Sequence, residues 1–598
     1  MGKKLHIHST LTCDVLIIGA GGAGLRCAAL LHERRPDLLI FAVTKVAHPQ
    51  KSHTSTAQGG MAAVDPRDKM DMSLYHMFDT WKGGDCTSDQ NVVRKIVDGG
   101  WEEVQWLERK GIHFSRDEGG NISKRQFGGH TVEFGKGDAL RAVFVADRTG
   151  KGIMDTTWGE ALKGGSLFIN STVVTELLFN EGCCVGAVLF KIKEGEFVTV
   201  LARATVLATG GSGQVFRITT NCRNNTGDGL AVILRAGLPV MDPEAVQFHP
   251  TGIVGPGILA SEALRSEGGI LRNKEMEPFM ERYAPKMKDL APRDIVARAI
   301  ETEIGEGRGI MDPDHQIEHV WIDLRHLPDY VHEVKLKEVA SFFKTYANLD
   351  SRTQLCPVRP SNHYHMGGIP TNEHGEVHTS ANTVVPGLFA VGECACASLH
   401  GFNRLGTNSL LELLVMGRYA GERVLPHLKG KQVPAQKGAG EATLTLFASY
   451  LETQGKESVG QIRQEMREVM THKVGIFRNE EGMQEAIASL ISFKRRASKV
   501  AISTKDMRMN QELLERWELD NLLDNAMTIA QGALMRKESR GAHFREDYPE
   551  RSDEFQFHTL VSMTDFGKVS FGKRPIDMSI YESKGEHYEQ FKIMPRKY

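Results

Sequence analysis

Three glycines, Gly19, Gly21 and Gly24, constrain this chain more than any other feature. They follow directly on Asp14-Val-Leu-Ile-Ile18, a short apolar run with β-branched residues that reads as a buried strand. Residues 25–34 then carry apolar side chains on one helical face, and Pro36-Asp37 ends that pattern. Residues 38–43 form a second apolar run, which completes a β-turn-α-β unit and implies a parallel sheet. Within such a unit the first glycine permits a tight turn and the second lets backbone approach a pyrophosphate. The third lets helix and strand pack closely, and the helix N-terminus offers free N–H groups to phosphate. The unit predicts a dinucleotide site.

Which dinucleotide is decided further along. An NAD site places a carboxylate at the end of the second strand, where this chain has Thr44-Lys45. A third apolar strand at 204–209 ends in Gly210-Gly211, and a fourth, Gly387-Leu-Phe-Ala-Val-Gly392, ends in Glu393. FAD extends across the sheet and needs backbone approach at several strand ends, so the pattern suits FAD.

At 598 residues the chain is too long for one core and divides into several units. Residues 1–243 and 361–430 read as two parts of the FAD-binding domain. Between them, 244–360 is more charged and mixed, an inserted capping domain with a helix over 293–303. Helical periodicity dominates 441–548, at 461–469, 480–496 and 510–539, and 549–598 reads as a small C-terminal domain of short β-like runs. The stretch 430–440 is a linker by composition. The fold class expected is therefore α/β, Rossmann-like, with an inserted α+β cap, a helical domain and a small terminal domain.

Net charge is −2, which gives no basic field for nucleic acid. No apolar run reaches the length of a membrane span, and residues 1–14 hold neither an export h-region nor an Arg-rich presequence. Nine cysteines, scattered apart from Cys183-Cys184, are not a disulfide framework and fit a reducing compartment. No CxxC or CxxCH exists, Cys394-Ala-Cys396 lacks iron–sulfur spacing, and the HxH pairs His6/His8 and His363/His365 have no further ligands, so no metal is expected. Lys494-Arg-Arg496 reads as a solvated face.

The segment Lys51-Ser-His-Thr-Ser-Thr-Ala-Gln-Gly-Gly60 resembles the flavin-attachment segment of succinate dehydrogenase and fumarate reductase flavoprotein subunits. The likeness extends through Asp147-Arg-Thr-Gly150, Asn225-Thr-Gly-Asp228 and Glu538-Ser-Arg-Gly-Ala-His-Phe-Arg-Glu-Asp547, across nearly the whole chain. It implies FAD held covalently through His53. It also implies cofactor contacts from Gly19, Gly21, Gly22, Gly24, Lys45, Ser52, Thr54, Gln58, Gly59, Gly60, Asp228, Glu393, Ser409 and Leu410.

A four-carbon dicarboxylate needs donors at both ends and a proton carrier beside its central bond, and arginine pairs bidentately with carboxylate. Gln247-Phe-His-Pro-Thr-Gly252 resembles the family's substrate-histidine motif and implies His249; Asn362-His-Tyr-His-Met-Gly-Gly368 implies His363. Gly401-Phe-Asn-Arg-Leu-Gly-Thr-Asn-Ser-Leu410 implies Arg404, with Thr407 replacing the usual smaller residue. Ser261 stands where the family has Thr and keeps the hydroxyl; Phe127 completes the implied substrate set. Arg293 is implied as the proton carrier, with Glu262 and Arg265 as its relay; from the residues alone, Arg293 would be a helix-start residue paired with Asp294.

The function expected is interconversion of succinate and fumarate. Two rivals remain, an L-aspartate oxidase-like or soluble fumarate reductase flavoenzyme and a non-catalytic FAD scaffold. His53 argues against the oxidase, and the intact set from His249 to Arg404 argues against the scaffold. Because the chain has no metal or haem motif, electrons are expected to pass to an iron–sulfur subunit. That subunit would sit on a membrane anchor, placing this chain peripherally on the cytoplasmic face of the cell membrane.

Overall fold

The structure is a computed structural model that describes residues 5–255, 257–430 and 432–595. The first four residues of the polar lead, position 431 of the 430–440 stretch and the last three residues of the terminal segment lie outside it.

The first strand, β1 (Ile7–Ile18), leads through Gly19 into helix α1 (Gly22–Arg34) and back to β2 (Ile40–Thr44). β3 (Leu167–Asn170) follows beside β2, then the antiparallel β4 (Thr172–Asn180) and β5 (Cys183–Lys191), and then β6 (Glu196–Leu207). With β1, β2, β3 and a later strand, β6 forms the parallel centre of an eight-stranded sheet. β1 is longer than its apolar run. Its first half is mostly exposed yet pairs with β6 from Ile7 onward, so burial pattern alone cannot reveal it. α1 starts three residues before its apolar periodicity, because Gly22–Gly24 are helical without carrying a hydrophobic signal.

A second, antiparallel sheet is built from β7 (Val246–Ile253), β8 (Ile317–Asp323) and β9 (Cys356–His365), with short edge strands. Helix α2 (Arg293–Glu303) packs on it, and Val296, Ala299, Ile300, Val320, Ile322 and Val358 share one buried cluster. The chain then returns to the parallel sheet as β10 (Val384–Ala390), whose Ala390 lies level with Leu207 of β6, itself level with Ile18 of β1. Strand ends therefore meet along one edge, and α3 (Asn408–His427) packs against α1 behind it.

After a helix over Glu441–Glu452 come α4 (Val459–Lys473), α5 (Glu480–Ala497) and α6 (Gln511–Met535), which hold Met466, Met470, Met483, Leu490, Leu522 and Met527 in their shared core. α6 ends before residue 539 because Arg536 turns out of the helix and buries its guanidinium against Glu244 and Glu538. Lys494 and Arg496 are not a free solvated face: Lys494 Nζ sits 2.9 Å from Asp520 and 3.0 Å from Asp524, and Arg496 holds Glu457 and Glu465. A hairpin, β11 (Phe557–Asp565) and β12 (Lys568–Pro575), comes next, followed by short helical turns at Ser579–Glu582 and Tyr588–Phe591. On the hairpin His558 and Arg574 both pair with Asp89, tying the C-terminal segment to the N-terminal one.

Among the described residues no helix is long and apolar enough to cross a membrane, and all nine cysteines are free thiols.

Candidate active site

A cavity of about 620 Å³ opens along the edge where the parallel strands end. At its floor Gly19 adopts φ +112°, and a Cβ there would stand 2.0 Å from the Ala208 carbonyl oxygen. A Cβ on Gly24 would stand 2.3 Å from the Gly19 oxygen, whereas one on Gly21 would meet only Thr54 Oγ1, at 3.5 Å. Gly24 thus serves helix–strand contact and Gly21 faces open space. The N-cap of α1, Gly21, supplies no side-chain cap and its first turn holds no acidic residue, so although Gly22 N donates to Thr54 Oγ1, the helix end still offers N–H groups to the cavity. The N-terminus of α3 is also uncapped, with Ser409 and Leu410 on the cavity wall. Two uncapped helix ends and a glycine-lined floor fit a dinucleotide.

Thr407, the departure from the family pattern, precedes α3 at φ +68°, a left-handed backbone that β-branched residues rarely adopt. Its hydroxyl donates to the Gly406 carbonyl at 2.5 Å.

Lys45 reaches the wall with its charge already engaged, Nζ lying 2.9 Å from Asp228 Oδ2 and 2.5 Å from Glu518 Oε1. Burial works against the ammonium, but these two carboxylates outweigh it and raise its pKa. Glu393 is half-buried just beyond β10, accepts from the His365 N–H at 3.2 Å, and is pushed up by desolvation to a pKa of about 7. Gln58 presents a buried Oε1 without a hydrogen-bond partner, and Gly59 and Gly60 run beside it.

His53 opens a single 3-10 turn, His53–Thr56, with Ser52 before it and Gly22 N donating to Thr54 Oγ1 at 3.2 Å behind it. Burial, with Arg404 adding to it, depresses the ring to a pKa of about 4, so it is neutral.

At the far end of the cavity the two sheets and α2 converge. β7 and β9 are paired neighbours, which brings the rings of His249 and His363 within 5.1 Å of one another. Burial, and then the surrounding arginines, holds both well below the usual histidine range. His249 Nδ1 accepts from the Thr251 backbone N–H at 3.2 Å, so the proton of the neutral ring sits on Nε2, which is buried and unpartnered. His363 Nδ1 lies 2.8 Å from Thr220 Oγ1. Arg404 stacks 4.4 Å from the Tyr364 ring centroid, donates to Ser409 Oγ at 2.6 Å and keeps a buried Nε without a partner. Burial and then Arg293 lower its pKa to about 10.

Arg293 is the first residue of α2 and does not pair with Asp294, which holds Arg298 instead. Its Nε donates to Glu262 Oε2 at 2.8 Å and its Nη1 to Gln247 Oε1 at 3.3 Å. Glu262 also accepts from Gly128 N, and Arg265 Nη2 lies 3.8 Å behind it. Burial pushes the Glu262 carboxyl up, but Arg293 and Arg265 outweigh burial and leave it below the ordinary carboxylate value. Three guanidiniums thus crowd one ionised carboxylate. Unpartnered donors and excess positive charge are what an anion with carboxylates at both ends would satisfy.

The matching families cover both halves of the chain. Residues 14–410 match the family described as FAD binding domain, and residues 463–598 match that described as Fumarate reductase flavoprotein C-term. The mitochondrial succinate dehydrogenase [ubiquinone] flavoprotein subunit of Oryza sativa subsp. japonica is 41% identical over 583 residues, covering 96% of this chain and 92% of the relative. The chain belongs to the succinate dehydrogenase and fumarate reductase flavoprotein family. A succinate dehydrogenase flavoprotein subunit of Rickettsia bellii is 41% identical over 95% of each chain. A solved E. coli quinol fumarate reductase FrdA mutant superposes with a TM-score of 0.89 at 36% identity, covering 95% of this chain and 97% of that one. This is a family of FAD-binding oxidoreductases with the α/β fold expected from the sequence.

Every residue assigned to a site from the sequence lines this cavity except two: Gly24, which packs α1 on the sheet, and Arg265, which stands behind Glu262. Sequence reasoning gave no role to Gln247, whose amide donates to Asn403 Oδ1 and the Arg404 carbonyl while its oxygen receives Arg293. It also passed over Tyr364 beneath Arg404 and the 219–225 loop along the wall. Gln247 opens the motif of His249 and Tyr364 stands between His363 and His365, and membership of those motifs was the available signal.

Proposed function

We propose that this chain is the catalytic flavoprotein subunit that interconverts succinate and fumarate. The observation that carries the reading is the crowding of Arg293, Arg265 and Arg404 around Glu262 beside a dinucleotide cradle. Arg404 and His363 bind one substrate carboxylate, and His249 Nε2 and the Ser261 side bind the other. Phe127, buried on the cavity wall, excludes water from the reacting carbons. Arg293 moves the proton at the substrate's central bond, and Glu262 and Arg265 exchange it with solvent. FAD supplies the two-electron acceptor when bound, and His53 holds it covalently.

Residues 244–360 form the cap in this reading, because His249, Glu262 and Arg293 come from that segment while His53 and Arg404 come from the sheet side. A hinge at either boundary closes the site over substrate.

The electron pair must leave before the next turnover. This chain has no CxxC or CxxCH, so the acceptor is a separate iron–sulfur subunit, bound to a membrane anchor that meets quinone. The quinones in the names of the rice and E. coli relatives support that route. The chain then lies peripherally on the cytoplasmic face of the membrane.

The test is succinate-dependent dye reduction by the flavin-loaded chain, with malonate as a competitive inhibitor. Absence of turnover in either direction with four-carbon dicarboxylates defeats the reading. Flavin released by acid precipitation defeats the covalent claim alone. Purification under mild detergent should bring down an iron–sulfur protein; a chain that runs alone and turns over at full rate with a diffusible donor removes the partner.

A further inference from the structure

We propose that Thr56 and Cys222 fix the tautomer of His53, placing its one ring proton on Nδ1 and leaving the Nε2 lone pair free for the flavin. This rests on the covalent reading above and deepens it. His53 Nδ1 has two neighbours, Thr56 Oγ1 at 3.2 Å and Cys222 Sγ at 3.4 Å. The Thr56 hydroxyl has one proton and donates it to the His53 carbonyl at 2.7 Å within the same 3-10 turn. Toward Nδ1 it can therefore only accept, which requires N–H there. Cys222 arrives on the 219–225 loop, and burial raises its thiol pKa and keeps it neutral, so its sulfur is a weak acceptor that supports the Nδ1–H while the committed hydroxyl of Thr56 selects it. A neutral imidazole carries one ring proton, so Nδ1–H leaves Nε2 as a lone pair. Nε2 has no hydrogen-bond partner among the described residues, on a side chain that lines the cavity.

The other tautomer would put N–H on Nε2 and set the Nδ1 lone pair against the lone pairs of Thr56. That ring could not attack. In the bonded step His53 Nε2 forms a bond to the flavin's 8α carbon, which gives up one hydrogen as a proton. The Nδ1 proton leaves to water once Nε2 is alkylated. The electron pair remains in the flavin ring system, which ends two-electron reduced and is reoxidised by fumarate or dioxygen. Thr56 and Cys222 touch His53 and not the reacting carbon, so they are positioning residues.

The experiment follows covalent flavin in the full chain, by in-gel fluorescence after denaturation, against total flavin bound before it. Thr56→Val should slow attachment about fivefold, the worth of one lost neutral hydrogen bond, with total flavin near one per chain. Thr56→Ser should restore the rate, a rescue that bulk packing would not give because serine lacks the methyl group. Cys222→Ala tests the second contact without touching the turn, and should slow attachment less than Thr56→Val. If the unaltered chain attaches flavin and both Thr56→Val and Cys222→Ala attach it at the same rate, the tautomer device is overturned and the covalent reading stands. If the unaltered chain carries only extractable flavin, the covalent reading fails and the device with it.

Discussion

A guanidinium ordinarily keeps its proton above about pH 12, so a site that uses one for proton transfer must supply a close acceptor and a competing cation. In the proposed function Glu262 Oε2, 2.8 Å from Arg293 Nε, is that acceptor, with the Arg265 and Arg404 guanidiniums close by. On the function proposed above, Arg293 and Arg404 have different tasks, and kinetics can separate them. Arg404 grips a carboxylate present in both substrate and transition state, so Arg404→Ala should act chiefly through the succinate KM. A buried charge pair broken on one side costs several kcal/mol, which places the KM increase at about a hundredfold or more. Arg293 acts on the proton that moves, so Arg293→Lys should lower kcat by about 10² to 10⁴ and change KM little. Lysine keeps the charge but cannot reach Glu262 and Gln247 together as the fork does. Steady-state succinate oxidation measures both. An Arg293→Lys enzyme with unchanged kcat would return Arg293 to the role of a helix-start residue.

At the scale of elements, the cradle depends on α1 lying close enough to β1 for its uncapped N-terminus to face the cavity. Gly24→Ala puts a methyl group 2.3 Å from the Gly19 carbonyl oxygen and must push the helix outward. Gly21→Ala meets only Thr54 Oγ1, at 3.5 Å, but fills the space that a pyrophosphate approaches. Thermal melts of chains produced without flavin should therefore show Gly24→Ala destabilised by about 1–3 kcal/mol and Gly21→Ala near the parent, while chains produced with flavin should hold less of it in both variants. Equal melting points, or full flavin in Gly21→Ala, would refute this division of labour. The same two elements show what a sequence makes legible. The apolar run of β1 and the glycine spacing are local signals, and they foretell strand, turn and helix. The exposed half of β1 has no such signal, because it is specified by pairing with β6, far along the chain. In the site, residues with a chemical type and a motif were readable; Gln247, Tyr364 and the 219–225 loop act through neighbours that only the folded chain brings together. The Lys494 face failed for the same reason, since its counter-charges Asp520 and Asp524 belong to another helix.

Over the whole molecule, burial fixes many titratable side chains in one protonation state, and this sets how the fold responds to acid. Apart from His53, the buried histidines His76, His130, His249, His365 and His543 and the half-buried His363 are depressed, first of all by desolvation. His365 falls to about 4 and His130 to about 3; the others lie well below the ordinary 6.5. Below pH 6.5 the unfolded chain binds protons that the folded chain refuses. The stability these groups contribute is complete above pH 6.5 and is lost as pH falls toward their folded values. Each removes up to about 1.4 kcal/mol per pH unit across that window. Raised carboxyls act in the opposite sense: Asp79 and Glu393, raised by burial to about 6 and about 7, lose stability as pH rises through those values, and Asp98, Glu103, Asp147, Glu244, Asp289, Glu338 and Glu518 are raised in the same direction. Just below neutrality the depressed histidines, whose unfolded values lie near 6.5, dominate and leave a net loss on acidification. With a typical domain stability of about 5–15 kcal/mol, unfolding should set in within about two units below pH 6.5. Calorimetric melts at pH 7.5, 6.5 and 5.5, repeated in buffers of different ionisation enthalpy, should show a falling Tm and net proton uptake on unfolding at pH 5.5. A Tm that holds or rises over that range, or proton release at pH 5.5, would mean that these rings are charged in the fold. The neutral, Nε2-protonated His249 required at the substrate carboxylate would then be wrong as well.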